Sequence, residues 1–324
     1  MNRDIVQKEA LSILCSYSRC GVGISVGIGK TLIALKHLEA NYKPDIKVLV
    51  VAPKKSIYTS WIDDSKKFSL EYLLRNIEFT TYLSLNKKDF NYDIIYLDEA
   101  HSLKLNHDSW LSKYTGKILG LTGTPPRDDK SEKAYMINKY CPIVYRYIIK
   151  KAVDDKILND YRIVVHPLYL DSDKNVKLKH GNKEWYSSET EIYDYWSKRI
   201  NNSKTKKEQQ IMNVMRMKAM MDFPSKLHYA KSLLESSPNK CIVFANTQEQ
   251  ADRLCKDSYH SNNPNSEDTL IKFKNNEINR LSCVLQLNEG VNIPNLKEGI
   301  IMHAYGNERK SVQRINIPVL FKSL

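Results

Sequence analysis

Gly27-Ile-Gly-Lys-Thr31, running directly into Leu32-Ile-Ala-Leu35-Lys-His-Leu38-Glu-Ala40, is the stretch that decides the fold of this chain. Leu32, Leu35 and Leu38 recur at helical spacing, so Thr31 to Ala40 reads as a helix with one apolar face. Glycines just ahead of a helix let backbone N–H groups wrap an anion without Cβ clashes, and the helix N-terminus adds a positive dipole end. In such a loop Gly27, Ile28 and Gly29 supply the backbone, Lys30 reaches the β- and γ-phosphates, and the Thr31 hydroxyl ligates Mg²⁺. The full phosphate-loop pattern asks for a glycine at position 24, where this chain has Ile24. On these residues alone, a chance Gly-Lys-Thr in a surface loop competes with a phosphate cradle.

Short apolar runs surround that stretch. Lys47-Val-Leu-Val-Val-Ala52, Ile94-Ile-Tyr-Leu-Asp98 and Ile118-Leu-Gly-Leu-Thr122 each end on a small or polar residue, as strands buried on both faces of a parallel sheet do. Alternation of such strands with helices predicts a doubly wound α/β domain, whose ligands sit at the carboxyl ends of the strands. One of those ends carries Asp98-Glu99-Ala100-His101, 68 residues after Lys30. A carboxylate there is placed for a second Mg²⁺ contact, and Glu99, one residue on, projects differently and can deprotonate an attacking water. The pairing with an upstream Gly-Lys-Thr favours nucleotide hydrolysis over coincidence. His101 reads as a coupling residue, because no second His or Cys lies at metal-ligand spacing.

Composition bounds the rest. In 324 residues, 50 Lys+Arg against 37 Asp+Glu leave a net charge of +13, which points to a polyanionic partner such as nucleic acid, with solubility as the plainer explanation. Mean hydropathy is -0.49, and no apolar run approaches the roughly 18 residues of a membrane span. The N-terminus is charged where a signal peptide is apolar. The expectation is a soluble, intracellular, cytoplasmic protein without a membrane partner. Cys15, Cys20, Cys141, Cys241, Cys255 and Cys283 show no CxxC pair and read as reduced thiols. Abundant Lys, Asn, Ile and Tyr match AT-rich codons, pointing to a virus, phage or AT-rich microbe, in which case the cytoplasm is the host's.

A second α/β series runs through Cys241-Ile-Val-Phe-Ala-Asn246, the helical Gln248 to Lys256, Ser282-Cys-Val-Leu-Gln-Leu287 and Gly299-Ile-Ile-Met-His303. Residues 1–165 are therefore expected as one RecA-like domain, 223–324 as a second, and 166–222 as a helical, basic connector. From Lys198 to Lys218 there are seven Lys/Arg and one acid, Glu208, for +6. A run of that kind is ordinarily a solvated helix face, and the Met-rich stretch Met212–Met221 is ordinarily adaptable core. Trp185 and Trp196 have faces that stack on bases, although aromatics in a helical segment ordinarily pack.

Taken together, these motifs resemble those of the superfamily 2 helicases and translocases, of DEAD/DEAH type, and are most similar to type III restriction-enzyme helicase subunits and Swi/Snf-like ATPases. The resemblance implies ATP with Mg²⁺ held by Lys30, Thr31 and Asp98, water activation by Glu99, and adenine reading by Gln7. Pro53 and Lys54 of Val51-Ala-Pro-Lys54, Thr81 of Thr80-Thr-Tyr-Leu-Ser84 and Asn246 resemble backbone-gripping motifs, as do Glu289 and Gly290 of Asn288-Glu-Gly-Val-Asn-Ile-Pro294. Leu121-Thr122-Gly123-Thr124-Pro125 stands where the family couples hydrolysis to domain movement. Asn292 replaces the family's Asp.

The last motif departs further. Gln313 and Arg314 match its start, but its arginine places fall on Ile317 and Leu320, and Arg309 occupies neither. In the family those arginines stabilise charge on the γ-phosphate, worth about 10³ or more in rate. Truncation of the motif, charge supplied by another residue or chain, or loss of hydrolysis each account for this, with the switch at Ile317 favouring truncation. The implied function is an ATP-dependent helicase or translocase binding nucleic acid, DNA before RNA, without sequence preference. A nucleic-acid-binding regulator built on the same motor is the alternative, and a small-molecule kinase a weaker third.

Overall fold

In the computed structural model the described residues are 2–126, 128–284 and 293–302. The chain forms two compact units, Met1–Asp160 and Tyr161–Leu324.

The first unit runs α1 (Arg3–Ser16), β1 (Arg19–Ile24), α2 (Lys30–Ala40), β2 (Val48–Ala52), α3 (Ser56–Lys67), β3 (Ile77–Thr81), β4 (Ile94–Asp98), α4 (Asp108–Leu111), β5 (Lys117–Thr122), α5 (Glu132–Tyr140), β6 (Ile143–Tyr147) and α6 (Ile149–Asp154). Its six strands form one parallel sheet in the order β3-β2-β4-β5-β1-β6. Residue alternation splits each central strand between two cores. Val48, Val50, Ala52, Ile94 and Tyr96 face one side with α2, while Leu49, Val51, Ile95 and Leu97 face the other with Trp110 and Tyr140. Burial on both faces is why these strands read as continuous aliphatic runs.

Strand β1 lacks a continuous aliphatic run because Gly21 and Gly23 interrupt it. At Gly21 the reason for glycine is space: a Cβ would come within 2.7 Å of the Cys141 carbonyl oxygen. Ile24 belongs to this strand, fully buried and paired with Tyr147, so the position where the phosphate-loop pattern asks for glycine is core here.

The second unit runs β7 (Val176–His180), β8 (Lys183–Ser187), α7 (Glu189–Asn201), α8 (Lys206–Met221), α9 (Pro224–Ser236), β9 (Cys241–Phe244), α10 (Gln248–Leu254), β10 (Ser258–Tyr259), α11 (Ser266–Lys274), β11 (Arg280–Cys283) and β12 (Glu298–Ile301). A four-stranded parallel sheet has the order β10-β11-β9-β12. Ile242 and Phe244 face one core and Cys241 and Val243 the other. The fold is thus α/β with two RecA-like parallel sheets. Residues 166–222 lie within the second unit and include, besides helices α7 and α8, the antiparallel β7–β8 hairpin. Val176 and Leu178 alternate with Lys177 and Lys179, and Trp185 stands opposite Leu178, so the period-two signal is confined to three residues, while the two-residue Gly181-Asn182 loop, with Gly181 at φ +60°, is a hairpin signature. The buried Glu189 carboxylate accepts from the Asp171 and Ser225 amides and the Ser225 hydroxyl, tying α7 to α9.

All six cysteines are thiols; Cys20, Cys141, Cys241 and Cys283 are buried and Cys15 is exposed. Among the described residues no helix is long and apolar enough to cross a membrane.

Candidate active site

Parallel pairing puts the carboxyl ends of β1, β5 and β4 side by side, with Gly23 opposite Thr122 and Leu121 opposite Asp98. The residues singled out in the sequence emerge from these ends. The loop after β1 starts with the Ser25 amide donating to the Tyr147 carbonyl at 2.9 Å. Gly27 (φ +86°) and Gly29 (φ +98°) then take left-handed conformations that other residues adopt only with strain. Ile28 between them is buried, and its carbonyl accepts from the Gln7 side-chain amide at 2.6 Å. Gln7 therefore braces the loop from α1.

Lys30 and Thr31 open α2. Lys30 Nζ lies 3.9 Å from Glu99 Oε1 with both side chains largely shielded from solvent. Gly123 leaves room for this ammonium, since a Cβ there would come within 3.3 Å of Lys30 Nζ. Glu99 itself has φ +49°, a left-handed conformation rare outside glycine, which is a local strain of the kind that clusters at functional sites. Its other oxygen, Oε2, lies 3.2 Å from His101 Nδ1. That nitrogen also meets Thr122 Oγ1 at 2.7 Å and Thr124 Oγ1 at 3.1 Å, and the Thr124 amide donates to Thr122 Oγ1. A continuous polar chain thus runs from Lys30 through Glu99 and His101 to Thr122 and Thr124.

Asp98 ends β4 almost wholly buried. Its Oδ1 accepts the Glu99 amide, its Oδ2 accepts the Trp61 indole N–H at 2.9 Å, and its backbone carbonyl accepts the Tyr82 hydroxyl. Burial, then the Glu99 charge, pushes the carboxyl up to about 6, against the Trp61 hydrogen bond and the Lys30 charge. Among the described residues no group of three or more His, Cys, Asp or Glu is gathered for a metal ion. A hard divalent cation here would take oxygens from Thr31, Asp98 and a bound phosphate, and the glycine loop beside Lys30 has the donors for that phosphate, so the residues present fit Mg²⁺ with a nucleoside triphosphate.

Pro53 and exposed Lys54 follow β2, and Thr81 ends the adjacent β3, so these residues share the same sheet edge as Asp98. In the second unit Asn246 follows β9, its amide donating to the Gln250 side chain at 3.1 Å. Glu289, Gly290, Asn292, Arg309, Gln313, Arg314, Ile317 and Leu320 lie outside the described residues. Trp61 is the contact that the sequence did not disclose. Its spacing from Ile57 and Ser65 marks a buried helix face, which signals packing and nothing more.

Known proteins resemble this chain over both of its units. The family model for the type III restriction enzyme res subunit matches residues 6–127, and that for the helicase conserved C-terminal domain matches 225–316. The chain belongs to the superfamily 2 helicases. The DNA 3'-5' translocase XPB2 of Sulfurisphaera tokodaii is 25% identical over 95% of this chain and 76% of its own length. Relatives from African swine fever virus, carrying the name of an ATP-dependent RNA helicase, are 29% identical over 40% of this chain and only 30% of theirs. The DNA-bound ATP-dependent Type ISP restriction-modification enzyme LlaBIII shares the fold at TM-score 0.59 and 16% identity, over 97% of this chain and 26% of that one.

Proposed function

We propose that this chain is an ATP-driven motor on nucleic acid, a helicase or translocase with DNA favoured over RNA. The observation that carries the reading is the polar chain from Lys30 to Thr124, set at adjacent strand ends beside a loop with two left-handed glycines. ATP supplies a cleavable phosphoanhydride, and its Mg²⁺ neutralises the charge that develops there. The amides of Gly27, Ile28 and Gly29 and the Lys30 ammonium hold the phosphates, Gln7 reads the base, and Thr31 and Asp98 hold the cation. Glu99 takes the proton of the attacking water. His101, Thr122, Gly123 and Thr124 pass displacement to the neighbouring strand ends.

Pro53, Lys54 and Thr81 grip the nucleic-acid backbone in residues 1–165, the ATP-binding domain. Asn246, Glu289 and Gly290 do so in 223–324, where Gln313 and Arg314 open the last motif. Backbone contacts carry no base information, so binding is sequence-independent. The preference for DNA draws on the relative matching nearly the whole chain, whose name makes it a DNA translocase. The 166–222 connector adds a basic contact. In support, α8 has no buried residue, Arg199 stacks over Tyr195 and Trp196, and Arg216 over Tyr193.

The test is ATP hydrolysis with and without single-stranded DNA. Nucleic-acid-stimulated turnover should vanish in Lys30→Ala together with nucleotide binding. In Glu99→Gln turnover should fall by about 10²–10⁴ with binding kept. Tight binding of nucleotide and DNA by the unaltered protein with no turnover would overturn the motor and leave the regulator, one of the readings that Ile317 and Leu320 at the arginine places leave open.

A further inference from the structure

Trp61 is fully buried on α3, its ring tilted against Tyr96 of β4 with centroids 5.6 Å apart and edge-on to Phe79 of β3 at 6.3 Å. Walls on two sides fix the direction of its one polar bond. A buried indole N–H needs an acceptor, and the acceptor taken is Asp98 Oδ2 at 2.9 Å. Oδ1 is meanwhile held by the Glu99 amide at 2.9 Å, and Tyr82 holds the Asp98 backbone carbonyl at 2.9 Å. Each carboxylate oxygen has two lone pairs. One donor on each leaves lone pairs for a cation while stopping rotation of the carboxylate about its Cβ–Cγ bond. Packing alone could be met by phenylalanine; a fixed donor to this carboxylate could not.

We infer that Trp61 is a positioning residue for the divalent cation: its indole N–H orients Asp98 and so sets the Mg²⁺ affinity of the nucleotide-loaded site. The inference deepens the phosphate-loop reading and rests on it. Partners that hold a metal ligand in place typically cost about 10–100-fold in metal affinity when removed. The side chain sits seven residues after Lys54, on the helix that follows the segment assigned to the nucleic-acid backbone, so the residue that aims the carboxylate belongs to the same piece of chain.

The experiment is calorimetric titration of the non-hydrolysable analogue adenosine 5′-(β,γ-imido)triphosphate at a series of Mg²⁺ concentrations. It compares the unaltered protein, Trp61→Phe, and a protein carrying 3-benzothienylalanine in place of Trp61, which keeps the ring shape and replaces N–H by sulfur. Both variants should raise the Mg²⁺ concentration for half-maximal analogue binding by about tenfold or more. Their affinity for the analogue in EDTA should stay unchanged, and the benzothienyl protein should melt with the unaltered one. A benzothienyl protein with unaltered Mg²⁺ dependence would overturn the inference, because shape would then suffice. Should Trp61→Phe fail to fold, the benzothienyl protein decides. Absence of any Mg²⁺-dependent analogue binding in the unaltered protein is a separate result, which removes the phosphate-loop reading and this inference with it.

Discussion

Replacing Gly29 by alanine tests the loop geometry by energy rather than by activity. Gly29 sits at φ +98°, and holding an L-residue in the left-handed region costs about 1–2 kcal/mol. The new Cβ would also come within 2.8 Å of Gln7 Nε2, so the amide must swing away from the Ile28 carbonyl that it meets at 2.6 Å. That hydrogen bond is buried, and losing it adds about 1–3 kcal/mol. Gly29→Ala should therefore destabilise the protein by about 2–5 kcal/mol. Gln7→Ala removes the same hydrogen bond without backbone strain and should cost about 1–3 kcal/mol. In the double variant the clash is gone and the hydrogen bond is lost only once, so the two costs should fall short of adding by that one bond, about 1–3 kcal/mol. Urea unfolding of the four proteins measures this cycle. Strict additivity, or a Gly29→Ala protein as stable as the unaltered one, would refute the bracing of the loop by α1.

Two further outcomes follow from the charges. Burial and the Glu99 charge raise the Asp98 carboxyl from its ordinary 3.8 to about 6. A carboxyl raised by folding contributes stability below its unfolded value and loses it as pH rises through the folded one. In chelator the unaltered protein should thus lose about 1 kcal/mol more stability than Asp98→Asn between about pH 5 and pH 8, and parallel stability curves would contradict it. On the connector, converting Lys204, Lys206 and Lys207 to glutamine should flatten the slope of log binding constant against log salt for single-stranded DNA by about 2; an unchanged slope would remove this basic segment from the interface.

The parallel sheets were legible because burial on both faces demands aliphatic runs, and β2 and β4 supply them without interruption. Asp98, Glu99 and His101 were legible because a polar cluster that ends such a run must fall at the sheet edge where ligands sit. Ile24 misled as a missing loop glycine, since nothing local says that β1 extends one residue further into the core. The β7–β8 hairpin was hard to read because its strands are five residues long and mostly exposed, leaving the short Val176–Leu178 alternation and Gly181-Asn182 to announce it. Trp61 was invisible for a different reason. A helix period discloses which side chains are buried, whereas the direction of an indole N–H depends on a strand 37 residues away in sequence. The conformation of Glu99, too, has no local signature, being a carboxylate held at φ +49° in the turn that follows β4.

The buried cysteines have a practical consequence. Desolvation lifts the Cys20 thiol to about 11 and the Cys141 and Cys241 thiols to about 12, so alkylating reagents meet little thiolate until the surrounding fold opens. Cys20 and Cys141 belong to the first unit, Cys241 and Cys283 to the second. Maleimide capture at these natural positions would therefore clock the opening of each half independently, with the exposed Cys15 reacting at once as an internal zero of time.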